Sequence, residues 1–390
     1  MKLKLRIFLL LFPLFGIAQV GISTTDPKAT LDIRASNVAT PANSDGILIP
    51  RVNAMPAVNP TVDQDRMLLY LTTTSGTYQP GFYYWDNANS VWKGFGQDKE
   101  WSLLGNSGTN PTTNFLGTTD NNDLVFKRNN ATVGRFGSSN VAIGIDSNSN
   151  FTGTNNNAIG AESLFSNTTG NSNNAFGYRA LYSNTTGNFN SAIGSQTLYY
   201  NSTGNNNSAY GAMALYSNFT GSNNCAFGYQ SLNSNTTGYN NVAIGSGAMG
   251  FSIGGYNNNA IGYGSLYSNT TGFNNNAFGI ESLSSNTTGH DNIATGYRAL
   301  YNNTNGNYNI AAGYRALFNN TSGENNIANG AFALFSNTTG NNNTASGFHA
   351  LYNNTTGKYN SATGYESLRF NTTADNNIAN GYQSLYANTT

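Results

Sequence analysis

The chain has 390 residues, enough for two or three ordinary domains, yet only 9% are charged, where a typical globular domain has about 25%. Formal net charge is zero and no basic run occurs, which excludes nucleic acid as a partner, because phosphate binding needs clustered Lys and Arg. Aromatic residues at 13% exclude the aromatic-poor composition of a disordered chain, and one cysteine with two histidines excludes an intrachain disulfide, a Cys-based zinc site and a His-rich metal site, so no cofactor is expected.

The first element, residues 1–18, has the layout of a signal peptide. Lys2, Lys4 and Arg6 form a basic start, Ile7 to Ile17 an apolar stretch interrupted by Pro13, and Gly16 and Ala18 precede an expected cut before Gln19. An uncleaved anchor is the competing reading, but the apolar stretch is about half the roughly 20 residues that a spanning helix needs. The residue after the cut is not cysteine, which argues against a lipid anchor, and no other segment could span a bilayer.

Residues 19–100 read as a small β-rich domain. Leu68-Leu69-Tyr70-Leu71-Thr72 predicts a strand. Phe82-Tyr83-Tyr84-Trp85 and Val91-Trp92, on either side of turn residues Asp86 to Ser90, predict a hairpin. Tyr83, Tyr84, Trp85 and Trp92 suit either an exposed carbohydrate platform or the core of a small domain, and the core is the commoner role. Residues 101–137 are expected to form a connector of short strands.

Residues 138–390 are a repeat. The glycine of a recurring A-[I/F]-G motif falls at Gly160, Gly177, Gly194 and on to Gly381, with a step of 17 residues over fourteen copies and one irregular copy before them at Val141 to Gly144. An alanine lies two before each glycine and an asparagine four before. A leucine lies four after, replaced once by Met249, and an asparagine seven after, replaced once by Ser252; T-T-G follows. Two copies supply the expected structural ladder: Asn173, Ala175, Gly177, Leu181, Asn184, Gly187, Asn190, Ala192, Gly194 and Leu198. Asn, Gly and Thr are poor helix formers, and helical repeats are longer.

The expected fold is therefore all-β: a parallel β-solenoid of 17-residue coils, each with two short strands and two turns, after a small β-rich N-terminal domain. At about 4.8 Å per coil, fourteen coils make a rod roughly 65 Å long. Stacked asparagines would hydrogen-bond along the rod, and the glycines would supply positive φ at turns. The residues flanking each Ala share one strand face. The large residue follows Ala in early copies (Phe176, Ile193, Phe227, Ile261, Phe278) and precedes it in later ones (Ile293, Ile310, Ile327, Ile378), which predicts a packed layer with one large residue per coil. A Tyr or Phe five after most repeat glycines, such as Tyr182, Tyr216 and Tyr301, predicts an aromatic stripe that is either core or a subunit seam. The chain stops at Thr390, one residue before the next expected turn glycine. Because solenoids need capped ends, the natural protein is expected to continue.

Asn240-Asn241-Val242-Ala243-Ile244-Gly245 and Ser139-Asn140-Val141-Ala142-Ile143-Gly144 resemble the head repeats of trimeric autotransporter adhesins (YadA-like). The longer unit, as in Asn173 to Phe189, is more similar to the head repeats of tail-fibre-domain surface proteins of Bacteroidetes and some phages. So are Val20-Gly21-Ile22-Ser23-Thr24-Thr25-Asp26-Pro27 with Leu31-Asp32-Ile33, and Trp101-Ser102-Leu103-Leu104-Gly105-Asn106 leading to Asn114-Phe115-Leu116-Gly117-Thr118-Thr119-Asp120. The resemblance implies left-handed parallel β-rolls assembled three chains side by side, in a surface or tail fibre.

No catalytic constellation stands out, so the chain is not expected to be an enzyme. Glu162, Glu281, Asp291, Glu324, Glu366 and Asp375 read as sharing no repeat position and so forming no acidic ladder. His349 reads as lying on a solvated face and Cys225 as a small buried apolar residue. The N-T-T turns also match glycosylation sequons, as at Asn184 and Asn337, although turn chemistry accounts for them. The functional expectation is a secreted, cell-surface, outer-membrane-associated fibre segment that attaches through a rigid rod, with a glycan or host-surface ligand. Alternatives are a carbohydrate-active solenoid, which would need a carboxylate or Arg cluster on one face, and an ice-binding threonine array. The two Thr of each pair are adjacent and should point to opposite faces.

Overall fold

A computed structural model describes residues 19–95, 110, 112, 114–150 and 153–389. They belong to two compact units, Met1–Leu116 and Gly117–Thr390. The expected signal peptide and the Trp101 to Asn106 motif lie outside the described residues.

In the first unit β1 (Val20–Ile22) pairs in parallel with β2 (Leu31–Ile33). A four-stranded sheet follows: β3 (Arg51–Val52), β4 (Leu68–Leu71), β5 (Gly81–Asp86) and β6 (Val91–Gly94), parallel between β3 and β4 and antiparallel thereafter. Alternation along β4, β5 and β6 puts Leu69, Leu71, Tyr83, Trp85 and Trp92 on one buried face. Trp85 and Trp92 are cross-strand partners, their rings edge-on at 5.6 Å. The aromatic hairpin is thus the core of a small sheet. Tyr84 alone of the four faces the other way, under the Arg66 guanidinium at 5.2 Å.

The second unit opens with an antiparallel hairpin, β7 (Leu124–Arg128) and β8 (Ala131–Phe136). Strand β8 pairs antiparallel with β9 (Val141–Ile143). From β9 the ladder is parallel, through fourteen strands from β10 (Asn157–Ile159) to β23 (Ile378–Asn380). Each step pairs residues 17 apart, Ala158 with Ala175 and Ala175 with Ala192. The hairpin covers the N-terminal edge of this ladder, where unpaired backbone would otherwise invite further strands.

Each coil holds one three-residue strand rather than the two expected. The reason lies in the backbone between the two halves of the repeat. In the coil of Gly177 every second residue has positive φ: Gly177 at 143°, Arg179 at 56° and Leu181 at 52°. Such dihedrals break the pleat, yet the chain still bonds to its neighbour. Leu181 donates its N–H to Thr197 O at 3.0 Å, and Ser183 to Tyr199 O at 3.0 Å. The second side of the coil is therefore a stack of turns closed by inter-coil hydrogen bonds, which satisfies the backbone without strand geometry.

The two glycines of the unit do different jobs. Gly160 has φ +133°, and a Cβ there would lie 2.5 Å from Gly177 O. Gly187, in T-T-G, has no such φ. There a Cβ would lie 2.8 Å from Asn201 Nδ2 and nearer still to Asn184 Oδ1. The first glycine answers to backbone conformation and the second to close approach.

The coil interior is narrow. The strand alanines from Ala158 to Ala362 and the column from Leu164 to Leu368, with Met249 in place of one leucine, have no exposed surface. The residues flanking each alanine point outwards instead, so they form no packed interior layer. A small side chain in the strand leaves room for the leucine opposite, and each buried leucine contributes about 1.5–3 kcal/mol.

Candidate functional site

Asparagine columns hold the coils together. Asn173 donates its backbone N–H and its Nδ2–H to Asn156 Oδ1, at 3.0 and 3.2 Å, and Nδ2–H also to Gly187 O at 2.8 Å. Asn190 repeats the pattern on Asn173 and Gly204. Asn184, in the second column, donates to Asn167 Oδ1 at 3.0 Å and to Gly187 O at 3.1 Å. Gly187 O is thus gripped from both sides by side-chain amides of its own coil, and the pattern recurs along the rod except where Ser252 replaces the second asparagine and leaves Gly255 O to Asn241 alone. These asparagines are buried, with Ala175, Ala192, Leu181 and Leu198 beside them and Gly177 and Gly194 (φ +134°) at the strand ends. The sequence-derived ladder residues therefore lie inside the rod or at its turns, and a partner meets other residues.

The first outward feature is the strand face. From Ile143 to Phe278 nine consecutive strands carry an apolar or aromatic residue just after the alanine, half-exposed at 38% for Ile159 and 39% for Phe278. At Ile293, Ile310 and Ile327 the apolar residue precedes the alanine instead, at 41% for Ile293 and 42% for Ile327. Thr344-Ala345-Ser346 and Ser361-Ala362-Thr363 carry none and Ile378 restores it, so the expectation of one large residue per coil fails at two coils. Cys225 belongs to this outward face, in the place just before Ala226, and is not a core residue. Partial burial pushes its thiol pKa up.

The second feature is a set of aromatic columns on the turn side. Phe165, Tyr182, Tyr199 and Tyr216 stack at 5.0–5.2 Å. Tyr301, Phe318, Phe335 and Tyr352 continue the same position at 5.1–5.3 Å. Where Asn233, Gly250 and Ser284 interrupt it, a different corner stacks instead: Tyr239, Tyr256, Phe273 and His290, at 4.6–5.0 Å.

Beside the first aromatic column runs a position two after each repeat glycine. Glu162, Glu281 and Glu366 all occupy it, which corrects the reading that the acids share no repeat position. They lie in separate parts of the rod, so they form no acidic ladder. Glu162 accepts from Arg179 Nε at 2.8 Å and Glu281 from Arg298 Nε at 2.5 Å, each arginine belonging to the next coil. Arg179 also lies over Tyr178 and Tyr182, at 4.9 and 5.5 Å. Ion pairing and ring contact occupy the charges, leaving these carboxylates poorly placed for general acid-base work.

His349 shares the position and is not solvated. Its ring lies 3.9 Å from Phe348, 4.6 Å from Tyr352 and 5.2 Å from Phe332. Burial, then the Arg369 charge, pull its pKa below the ordinary histidine value, against an opposing pull from Glu366. Chain periodicity had this signal: a histidine one coil before Glu366 and one coil after Phe332, next to Phe348 in the chain.

The threonine rows are engaged rather than free. Thr185 Oγ1 donates to Ser202 O at 2.9 Å and Thr287 Oγ1 to Thr304 O at 2.9 Å, so the first hydroxyl of such pairs is spent on the next coil. A cleft of about 270 Å³ lies at the N-terminal end of the ladder, among Arg135, Asp146, Ser147 and Asn148. Asn148 fills the place that leucine holds in later coils, so a polar side chain ends the apolar column. Among the described residues no group of three or more His, Cys, Asp or Glu could hold a metal ion, and no helix is long and apolar enough to cross a membrane.

Residues 19–113 match the family model of a phage tail like trimerisation region. No curated protein and no solved structure matches the chain. Of the two resemblances noted in the sequence, the match supports the tail-fibre one, with no comparable support for the autotransporter one. A trimerisation region and a parallel β-solenoid together fit a tail-fibre-like structural protein, extracellular or particle-associated, that assembles as a homotrimer.

Proposed function

We propose that this chain is a shaft segment of a secreted, homotrimeric attachment fibre, in which residues 19–113 join three copies and the solenoid supplies length and stiffness. The observation that carries the reading is the succession in one chain of a trimerisation-region match and fourteen parallel strands. The repeated surface suits weak, multivalent contact with glycans or another cell-surface ligand, where many equal contacts along a rod add up to avidity. Export fits the basic and apolar N-terminal layout and the start of the family match at residue 19. Outer-membrane association belongs to the same reading.

The test is the solution mass of residues 19–390 by light scattering, with circular dichroism on the same sample. A β-rich particle of three chains supports the proposal. A β-rich single chain at micromolar concentration overturns it and leaves a self-sufficient solenoid.

A further inference from the structure

A rod of near-identical coils has a registration problem. Copies of the chain side by side could slide by one coil, about 4.8 Å, and meet almost the same surface again. The strand face breaks that degeneracy. Its apolar residue sits just after the alanine in nine successive strands, ending at Ile244, Ile261 and Phe278. It then shifts to just before the alanine, at Ile293, Ile310 and Ile327, while the vacated place takes Thr295, Ala312 and Asn329. The strands stay in unbroken register through the change, Asn276 opposite Ile293 and Phe278 opposite Thr295. Exposure of the apolar residue also stays level, at 39% for Phe278 and 41% for Ile293. The core therefore does not require the shift, since the alanine column runs straight through it at zero exposure.

We propose that the strand face is the seam between copies of this chain and that the shift is a register key. This rests on the trimeric fibre reading above. The occupant of the face is a second copy, because the trimerisation-region match ends at residue 113 and the same chain continues into the solenoid. Exposed apolar stripes of this length mark contact surfaces. The line of contact moves two residues along the strand, roughly 6.6 Å, between Phe278 and Ile293. In correct register every level of the seam meets like with like. A slide of one coil sets Ile293 of one copy against Asn276 of another and Thr295 against Phe278, so at that level each apolar residue meets a polar one. A single polar residue at a coiled-coil seam specifies register by the same logic.

The test uses single cysteines in a Cys225→Ser background, with the chain from residue 19 onwards: Asn276→Cys, Phe278→Cys, Ile310→Cys and Ala312→Cys. All four places are on the outward face, and circular dichroism verifies the fold of each variant. Disulfides form only where Cα atoms approach within about 7 Å, so interchain oxidation is expected to be about tenfold faster at 278 than at 276 and at 310 than at 312. Preference for the same side in both pairs overturns the shift. Absence of crosslinks at all four positions, with a three-chain mass by light scattering, overturns the face and leaves the trimer standing. A one-chain mass overturns the fibre reading itself.

The key has its own readout. A nitroxide on Thr356→Cys in the same background is expected to give one narrow interchain distance set. Erasing the shift with Ile293→Asn, Thr295→Ile, Ile310→Asn, Ala312→Ile, Ile327→Asn and Asn329→Ile should broaden the set towards longer distances, because each coil of slip adds an axial offset of about 4.8 Å that combines in quadrature with the lateral spacing. A single narrow set in the erased variant, at an unchanged three-chain mass, shows that register is fixed elsewhere and overturns the key.

Discussion

Asn258→Ala tests the inner asparagine column at mid-rod. Asn258 donates Nδ2–H to Asn241 Oδ1 at 3.1 Å and to Gly272 O at 2.8 Å. Its Oδ1 accepts the Asn275 backbone N–H at 2.9 Å and Nδ2–H at 3.2 Å. Truncation removes all four. Three of the groups left behind keep a partner: Asn241 Oδ1 still accepts the N–H of residue 258, Gly272 O still accepts from Asn269, and Asn275 Nδ2 still donates to Gly289 O. The Asn275 N–H is left buried without one. The orphaned donor costs about 1–3 kcal/mol and each of the other three lost hydrogen bonds about 1 kcal/mol, so the variant should lose about 4–6 kcal/mol locally. Repeat arrays depart from two-state unfolding, so the readout is amide hydrogen exchange around Asn275 together with the melting curve. Exchange should quicken by roughly a hundredfold or more, at about 1.4 kcal/mol per tenfold. The control is Thr271→Ala, an exposed residue of the same coil. A loss below about 1 kcal/mol, or equal to that of the control, would refute the claim that the column binds coil to coil.

Two further predictions concern backbone and charge. Leu283 is buried at φ +51°, so Leu283→Ile, elsewhere a mild swap under about 1.5 kcal/mol, should cost more than that, because a β-branched residue resists positive φ. A melting temperature unchanged from the parent would contradict this. Asp86, buried in the first unit, is held at a pKa of about 2 by hydrogen bonds from Lys93, at 2.6 Å, and Asn89. A lowered folded-state pKa gives stability that is present above the ordinary carboxyl range and lost as pH falls through about 2. Asp86→Asn should flatten acid unfolding of that unit between about pH 4 and 2, as read by Trp85 and Trp92 fluorescence. An acid limb that stays as steep as the parent's would show that the pair carries no linkage.

Much of the solenoid was legible because stacking repeats a side-chain environment every 17 residues. Asn156, Asn173 and Asn190 recur without exception because each must serve both the coil before and the coil after. The hairpin was legible from Tyr83, Trp85 and Trp92, whose alternation matches a half-buried strand. Glu162 and Arg179 show a signal that was present and overlooked: opposite charges one period apart at one repeat position. His349 shows another, since aromatic neighbours surround it only when adjacent coils are read side by side.

By itself the sequence determined the period and the parallel stacking. Only the tertiary structure decided which side of each strand is inside. The alternation of Ala175 with Phe176 suggests that the larger residue is buried, but Leu181 from the opposite wall already fills a narrow coil. Alanine therefore faces in, and the apolar residue faces out towards other molecules. The positive φ of Leu181 was equally hidden, because leucine has no side-chain preference for that conformation. It is held there by the hydrogen bond from its N–H to the next coil and by burial against the alanines, contacts that exist only once the coils are stacked.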